Sequence, residues 1–393
     1  MTRLLQRRPL TFWLPHDEWL LADGVTGGQG GWELVGTEQE DAGRHASELR
    51  LPNVMSYDEI ALAALVCVSV PTHFINAGGR HNQRVPGERG TFEPKGVYTA
   101  CVGARFERPG LMEWAHLVVS QEQNTAANGY GPAEAALAAG ANPMRVALLG
   151  AWARFYGREY LPTAAEAQAQ FARDPSTYLE LRTMGRRGVS LLDAELYVRR
   201  IRASAEPFLL DANRRAAESG TQAYALVVGL GLGAWGVDQR QGLLQLQAYE
   251  QILTQNALPN LGVLDFSWFP HDCVQLGGAR SGTQFASAAQ PTTAPLILFS
   301  RRDPAAPLPA RADPSSEPPY LNVAMYAWDG NSYPGNEYWV GALSASGDPA
   351  AACCSTIAVL QNPDLNPERM CGEAALVYGG GEGGAAPPPV SHL

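Results

Sequence analysis

The segment AYALVVGLGLGAWGVDQRQGLLQLQAYEQILTQNALPN, residues 223–260, constrains the fold most. An unbroken apolar run, a glycine-rich turn and a long helical pattern follow one another without a gap. A short apolar run bounded by glycine reads as a strand buried on both faces, and such strands belong to parallel sheets covered by helices. Glycine at 229, 231 and 233 permits positive φ and removes side chains, so a phosphate can approach the backbone N–H groups. The helix expected from about Gln239 adds the positive end of its dipole. The spacing is not the dinucleotide fingerprint GxGxxG, and no GK[ST] follows as in a P-loop. Taken alone, the turn is equally a phosphate cradle or a tight packing turn.

Further segments extend the alternation of strands and helices. SYDEIALAALVCVSV (56–70) reads as a helix with Ser56 and Glu59 at capping-box spacing. GVYTACVGARFERPGLMEWAHLVVS (96–120) reads as two strands around Pro109-Gly110, and the amide-rich loop QEQNTAANGYG (121–131) follows. Residues 132–220 read as mostly helical. Strands are expected over 260–269, 294–302 and at the start of 321–367, beyond a proline-rich linker at 303–319. The prediction is an α/β fold, a mixed central sheet flanked by helices, with an additional helical segment at about 132–220. In domain terms this gives a polar amino-terminal segment (1–50), one α/β domain (51–370) and a low-complexity tail (371–393) expected to be disordered.

Composition narrows the function classes. The net charge is −10 and arginine supplies nearly all of the 29 basic residues, without a basic run of the kind nucleic-acid binders carry. No apolar stretch reaches the ~20 residues that a membrane span needs. No signal peptide is evident at the amino terminus. The six cysteines show no CxxC pairing, which points to a reduced, cytoplasmic protein. His271-Asp272-Cys273 is too compact for a zinc pattern, so no metal and no cofactor is expected.

The second constellation is the loop WDGNSYPGNEYW (328–339) with SGDPAAACC (346–354). It holds Asp329, Glu337 and Asp348 together with Asn331 and Asn336. The loop leaves a predicted strand at the carboxyl edge of the sheet, where open α/β sheets bind ligands. Carboxylates there can hold ribose hydroxyls or position a water. Each also has a plain structural reading: Asp348 as a helix cap, Asp329 as a turn residue before Gly330. Arg105, Glu107 and Glu113 either contribute to a site or pair with one another. Asn76, in FINAGGRHN, either lines a site or makes a turn.

GLGLGAWG after its strand, together with GNEYW and SGDPAAACC, resembles a divergent macrodomain-like group of ADP-ribosyl hydrolases of the MavL type, distantly related to poly(ADP-ribose) glycohydrolases. FINAGGRHN, VGARFERPGLMEW and QNTAANGYG resemble that group's amino-terminal half. The resemblance implies hydrolysis of the bond between ADP-ribose and a protein arginine, with ubiquitin as one target. It implies Asp329, Glu337 and Asp348 as catalytic residues. It implies a diphosphate loop at Gly229, Leu230, Gly231, Leu232, Gly233, Ala234 and Trp235. Asn331, Asn336, Asn76, Arg105 and Glu107 are further candidates for the ribose side. The GGG and QEE signatures of the glycohydrolases are missing. The alternatives are a non-catalytic ADP-ribose reader and a hydrolase of poly(ADP-ribose) or ADP-ribosyl esters.

Overall fold

The computed structural model describes residues 18–20, 27–29, 56–65, 67–79, 82, 85–106, 109–181, 189–233, 235–290, 293–310, 319–328 and 353. The chain forms two compact units. The first comprises Met1–Gly103, Ser204–Leu230 and Tyr249–Leu393, the second Ala104–Ala203 and Gly231–Ala248. In chain order the elements begin with β1 (Glu18–Leu20), β2 (Gly27–Gln29), α1 (Tyr57–Ala63), β3 (Val68–His73) and β4 (Lys95–Cys101). There follow α2 (Trp114–Leu117), β5 (Val118–Val119), α3 (Ala133–Ala138), α4 (Pro143–Phe155), α5 (Ala164–Arg173), β6 (Tyr178–Leu181), β7 (Ser190–Asp193) and α6 (Ala194–Glu218). The remainder is β8 (Gln222–Val228), α7 (Gln241–Gln255), β9 (Leu261–Ser267), β10 (Gln275–Leu276), β11 (Ala279–Arg280), β12 (Thr283–Gln284), β13 (Leu296–Ser300) and β14 (Tyr320–Ala327).

The first unit is built on a seven-stranded mixed sheet in the order β12-β13-β9-β8-β14-β4-β3. The five inner strands run parallel, and β12 and β3 are antiparallel edges. The expected strand at 223–228 is β8, buried from Ala223 to Val227. Complete burial of a side chain such as Leu226 or Phe266 stabilises by roughly 1.5–3 kcal/mol. Tyr249 of α7 stands edge-on to Phe266 at 5.2 Å, and its hydroxyl donates to the Met325 sulfur at 3.9 Å. Those contacts hold the carboxyl half of α7 on the sheet. Asp211 of α6 accepts from the Ser69 hydroxyl of β3 at 2.6 Å.

The helix expected over 56–70 is shorter. Ser56 and Glu59 form the predicted capping box, with bonds of 3.2 and 2.9 Å, but the helix stops at Ala63. Val68–His73 is instead the edge strand β3, paired with β4. Its valines favour a pleated surface, and Pro71, which has no N–H to give a ladder, fits an edge strand.

The second unit carries a three-stranded antiparallel sheet, β5-β7-β6, with α2 to α5. The reading of 132–220 as mostly helical missed β6 and β7. The second of the two strands expected around Pro109-Gly110 is only the two residues of β5, preceded by the turn of helix α2. The amide loop is structural in part. Asn124 accepts from the Ser120 N–H at 3.1 Å and donates to the Pro162 carbonyl at 3.0 Å, which ties the loop to the start of α5. Thr163 and Glu166 close a capping box there.

Glu113 lies near the middle of this unit, 2% exposed, between two buried arginines. Its carboxylate accepts from Arg105 Nε at 3.0 Å and from Arg200 Nε at 3.0 Å. The Arg105 backbone N–H adds a bond of 3.2 Å. Burial pushes the Glu113 carboxyl up, but the two guanidinium charges outweigh it and hold it down at about 2. His116 stacks on Trp152 at 4.4 Å. Burial drives its pKa down to about 3, against the pull of Glu113.

Candidate functional site

The parallel sheet fixes where its loops emerge. β8 and β14 are hydrogen-bonded neighbours running the same way, so Gly229 and Trp328 leave the sheet at one edge, the carboxyl edge. The Trp328 N–H donates to the Cys101 carbonyl at 2.9 Å and carries the β14–β4 ladder one step further. From β8 the sheet grows through β9 to β13 in sequence order, while on its other side stands the last strand, β14. That reversal is the switch point at which open α/β sheets bind ligands. The two sequence constellations therefore start from adjacent strands at this edge. The indole of Trp328, 2% exposed, keeps a buried N–H with no partner among the described residues.

The glycine turn has distinct roles for its glycines. Gly231 has φ +70°, and a Cβ there would stand 2.6 Å from the Ala104 carbonyl oxygen. Its glycine is required by backbone packing alone. Gly233 is exposed, and a Cβ there would meet nothing within 4 Å. Packing does not ask for glycine at that position. The N–H groups of Gly231, Leu232 and Gly233 donate to no group among the described residues. Downstream the amides are already satisfied. The Gln241 side-chain oxygen accepts from Val237 and Asp238 at 2.7 and 2.8 Å, and Asp238 accepts from the Arg240 N–H at 2.8 Å. α7 accordingly begins at Gln241, two residues beyond the predicted start. Three successive N–H groups without a partner among the described residues are free to donate to water or to the oxygens of a ligand.

The other candidates fall in different places. Arg105 is fully buried on Glu113, the ion-pair alternative of the sequence reading. Asn76 is a turn residue. Its carbonyl oxygen accepts from Gly78 N–H at 2.8 Å, and its amide donates to Asn82 and to the Val85 carbonyl at 3.1 and 3.0 Å. His73 of β3 pairs with Lys95, the first residue of β4, so the chain enters the Asn76 loop at the opposite sheet edge from Gly229 and Trp328. Asp329, Asn331, Asn336, Glu337, Asp348, Glu107 and Ala234 lie outside the described residues. Sequence reasoning missed the buried roles of Arg200 and His116; a charged residue on the apolar stripe of a long helical pattern was the available signal for Arg200. Among the described residues no three His, Cys, Asp or Glu side chains converge on a common point, and no helix is long and apolar enough to cross a membrane. The four described cysteines are free thiols.

An α/β protein whose central sheet opens a glycine turn beside the end of β14 at its switch point has the place where open α/β sheets take their ligands. Comparison with known proteins sharpens this. Residues 1–379 match the family described as ADP-ribosylhydrolase MavL-like. Two Drosophila melanogaster proteins are each 35% identical to this chain: ADP-ribosylarginine hydrolase CG2909 over 369 residues and ADP-ribosylarginine hydrolase CG3568 over 375. The matches cover 93% and 94% of this chain and 68% of each relative. The chain belongs to the MavL-like ADP-ribosylhydrolase family.

Proposed function

We propose that this chain frees protein arginine from ADP-ribose by hydrolysing the N-glycosidic bond between ribose C1″ and a guanidinium nitrogen. Family membership and the names of the two relatives support the reaction. The observation that carries the binding site is the run of N–H groups at Gly231, Leu232 and Gly233 that have no partner among the described residues. The diphosphate lies along Gly229 to Trp235, and the mixed sheet supports a macrodomain-like architecture around it. Asp329 follows Trp328 directly, so it starts from the strand beside that turn; we assign it to the distal ribose hydroxyls. Asp348 or Glu337 orients the attacking water and faces the guanidinium.

In the reaction the C1″–N bond breaks as the water oxygen bonds to C1″. One water proton passes to a carboxylate and onward to the leaving guanidine nitrogen. The transition state resembles an oxocarbenium ion, as in glycoside hydrolysis. Carboxylates near the ribose stabilise its positive charge and attract the cationic substrate. No step of this assignment uses a metal. An arginine of ubiquitin, in the cytoplasm, is the acceptor to test first.

The test is turnover of an arginine-ADP-ribosylated protein. Asp329→Ala is expected to lower kcat by about 10²–10⁴-fold, the usual worth of a positioned acid–base group, with the melting temperature unchanged. Wild-type turnover in the folded variant refutes the assignment. Tight ADP-ribose binding without any turnover by the native protein favours the reader alternative.

A further inference from the structure

Two cysteines face each other at the carboxyl edge of the seven-stranded sheet. Val68 of β3 pairs with Ala100 of β4, so one further step in the antiparallel register sets Cys67 opposite Cys101. Directly opposite residues of an antiparallel pair have Cα atoms about 4.5–5.5 Å apart, inside the window that a disulfide spans. The side chains turn toward each other: the two Sγ atoms lie 3.5 Å apart, and both groups are thiols. Both sulfurs also face the Ser204 carbonyl oxygen, at 3.7 and 4.0 Å. Ser204 is held in turn, because its hydroxyl donates to the Val102 carbonyl at 2.7 Å.

The two sulfurs differ in access. Cys101 is fully buried, whereas Cys67 is half-buried. A cysteine kept only for its volume acts as a small hydrophobe and needs no second sulfur in register beside it. A thiol reached from solvent, with a second thiol next to it, is the arrangement in which oxidation ends at a disulfide. The pair also stands beside the strand that leads into the polar loop. The Cys101 carbonyl accepts from the Trp328 N–H at 2.9 Å, so β4 holds the end of β14 at the residue next to the thiol.

We propose that Cys67 and Cys101 are a site of reversible oxidation by hydroperoxides, and that the resulting disulfide restrains the edge at which Trp328 leaves the sheet. In the first step the Cys67 sulfur bonds to one oxygen of hydrogen peroxide and the O–O bond breaks. The products are a sulfenic acid and one water, and the sulfur supplies the two electrons. In the second step the Cys101 sulfur bonds to the Cys67 sulfur and the S–O bond breaks. The hydroxyl leaves as a second water with the Cys101 proton. A small dithiol restores both thiols by exchange. In a reducing compartment a disulfide of this kind is transient, as redox-sensing ones are. Neither step draws on the hydrolase reading, and the test does not depend on it.

The test uses the full chain, reduced and then treated with hydrogen peroxide in small molar excess. The expected product is lighter by two hydrogen atoms, gives a linked Cys67–Cys101 peptide on non-reducing digestion, and regains its mass in dithiothreitol. In the oxidised protein the Trp328 amide is expected to exchange with deuterium about tenfold more slowly than in the reduced protein. Cys67→Ser is expected to form no such link and to show the same Trp328 exchange with and without peroxide. A protein whose mass peroxide leaves unaltered overturns the proposal. Oxidation of Cys67 to the sulfinic acid without a link overturns it, as does a link from either cysteine to Cys273, Cys353, Cys354 or Cys371 in place of the expected one. A Cys67–Cys101 link that leaves the Trp328 exchange unchanged overturns the restraint.

Discussion

The two units are stabilised at their centres by opposite means. In the first, strands β8, β9 and β14 bury Leu226, Phe266 and Val323, and the buried Asp265 carboxyl of β9 accepts from the Tyr224 hydroxyl at 2.7 Å rather than from a guanidinium. In the second, a carboxylate sits between two buried guanidinium groups, with a neutral imidazole nearby. Apolar burial is graded: it follows area and tolerates changes that conserve volume. A buried ionic cluster is not graded, because removing one member leaves the others desolvated and unpaired. The sheet edge that carries Gly229 and Trp328 thus rests on the tolerant kind of core.

The sharpest way to break that comparison uses replacements that keep shape. Glu113→Gln preserves volume but leaves Arg105 and Arg200 without their counter-charge. It is expected to cost about 3–5 kcal/mol in urea unfolding. Leu226→Met, a volume-conserving change in the apolar sheet, is expected to cost less than about 1.5 kcal/mol. Similar costs for the two variants would mean that the second unit relaxes water onto its arginines, and the contrast would fail.

The same contrast explains what could be read from sequence. AYALVV announces a buried parallel strand because nothing but apolar residues satisfies both of its faces, and β8 is found where that pattern stands. The loop that begins at Trp328 was expected at the carboxyl edge because strand direction alone decides it, and β14 ends at that edge beside β8. Glu113 is different. Nothing in RFERPGLMEW shows that Arg200, 87 residues on, completes its pairing. β6 and β7 were missed because each is four residues long and lies between strong helical patterns. Val68, Ser69 and Val70, the first half of β3, were absorbed into a helix because an apolar run does not reveal its own period. Asp329, Glu337 and Asp348 remain legible only as a pattern.

A smaller effect sharpens the reading of the turn. Gly231→Ala forces a side chain into the left-handed region, at roughly 1–2 kcal/mol, and also against the Ala104 carbonyl. Gly233→Ala has open space and is expected to change stability by less than about 0.5 kcal/mol. Gly233→Glu is therefore the cleaner probe of the diphosphate site: it should weaken ADP-ribose binding in calorimetry while thermal stability holds. Undiminished affinity in that variant would remove the turn from the site, whereas a defect in Gly231→Glu would not distinguish binding from folding.

The acid response of the second unit is a slope with pH rather than a single cost. Folded His116 stays neutral down to about 3, while the unfolded chain takes up its proton below the ordinary value of 6.5. The unfolded state then binds more protons, so stability falls as pH drops through that window, by at most about 1.4 kcal/mol per pH unit for one group. Asp193 works the other way. Burial pushes its carboxyl up to about 6, against the Leu196 N–H and Arg158, so between 6 and its ordinary 3.8 the folded state holds the extra proton and gains stability on acidification. The two slopes offset each other between pH 6 and 4. Breaking the balance from either side tests both. His116→Phe keeps an aromatic ring against Trp152 and should leave Asp193 unopposed, so its stability should rise on acidification from pH 6 to 4. Asp193→Asn should instead steepen the acid loss. Parallel stability-versus-pH curves for the two variants and the native protein would mean that neither group titrates as its burial dictates.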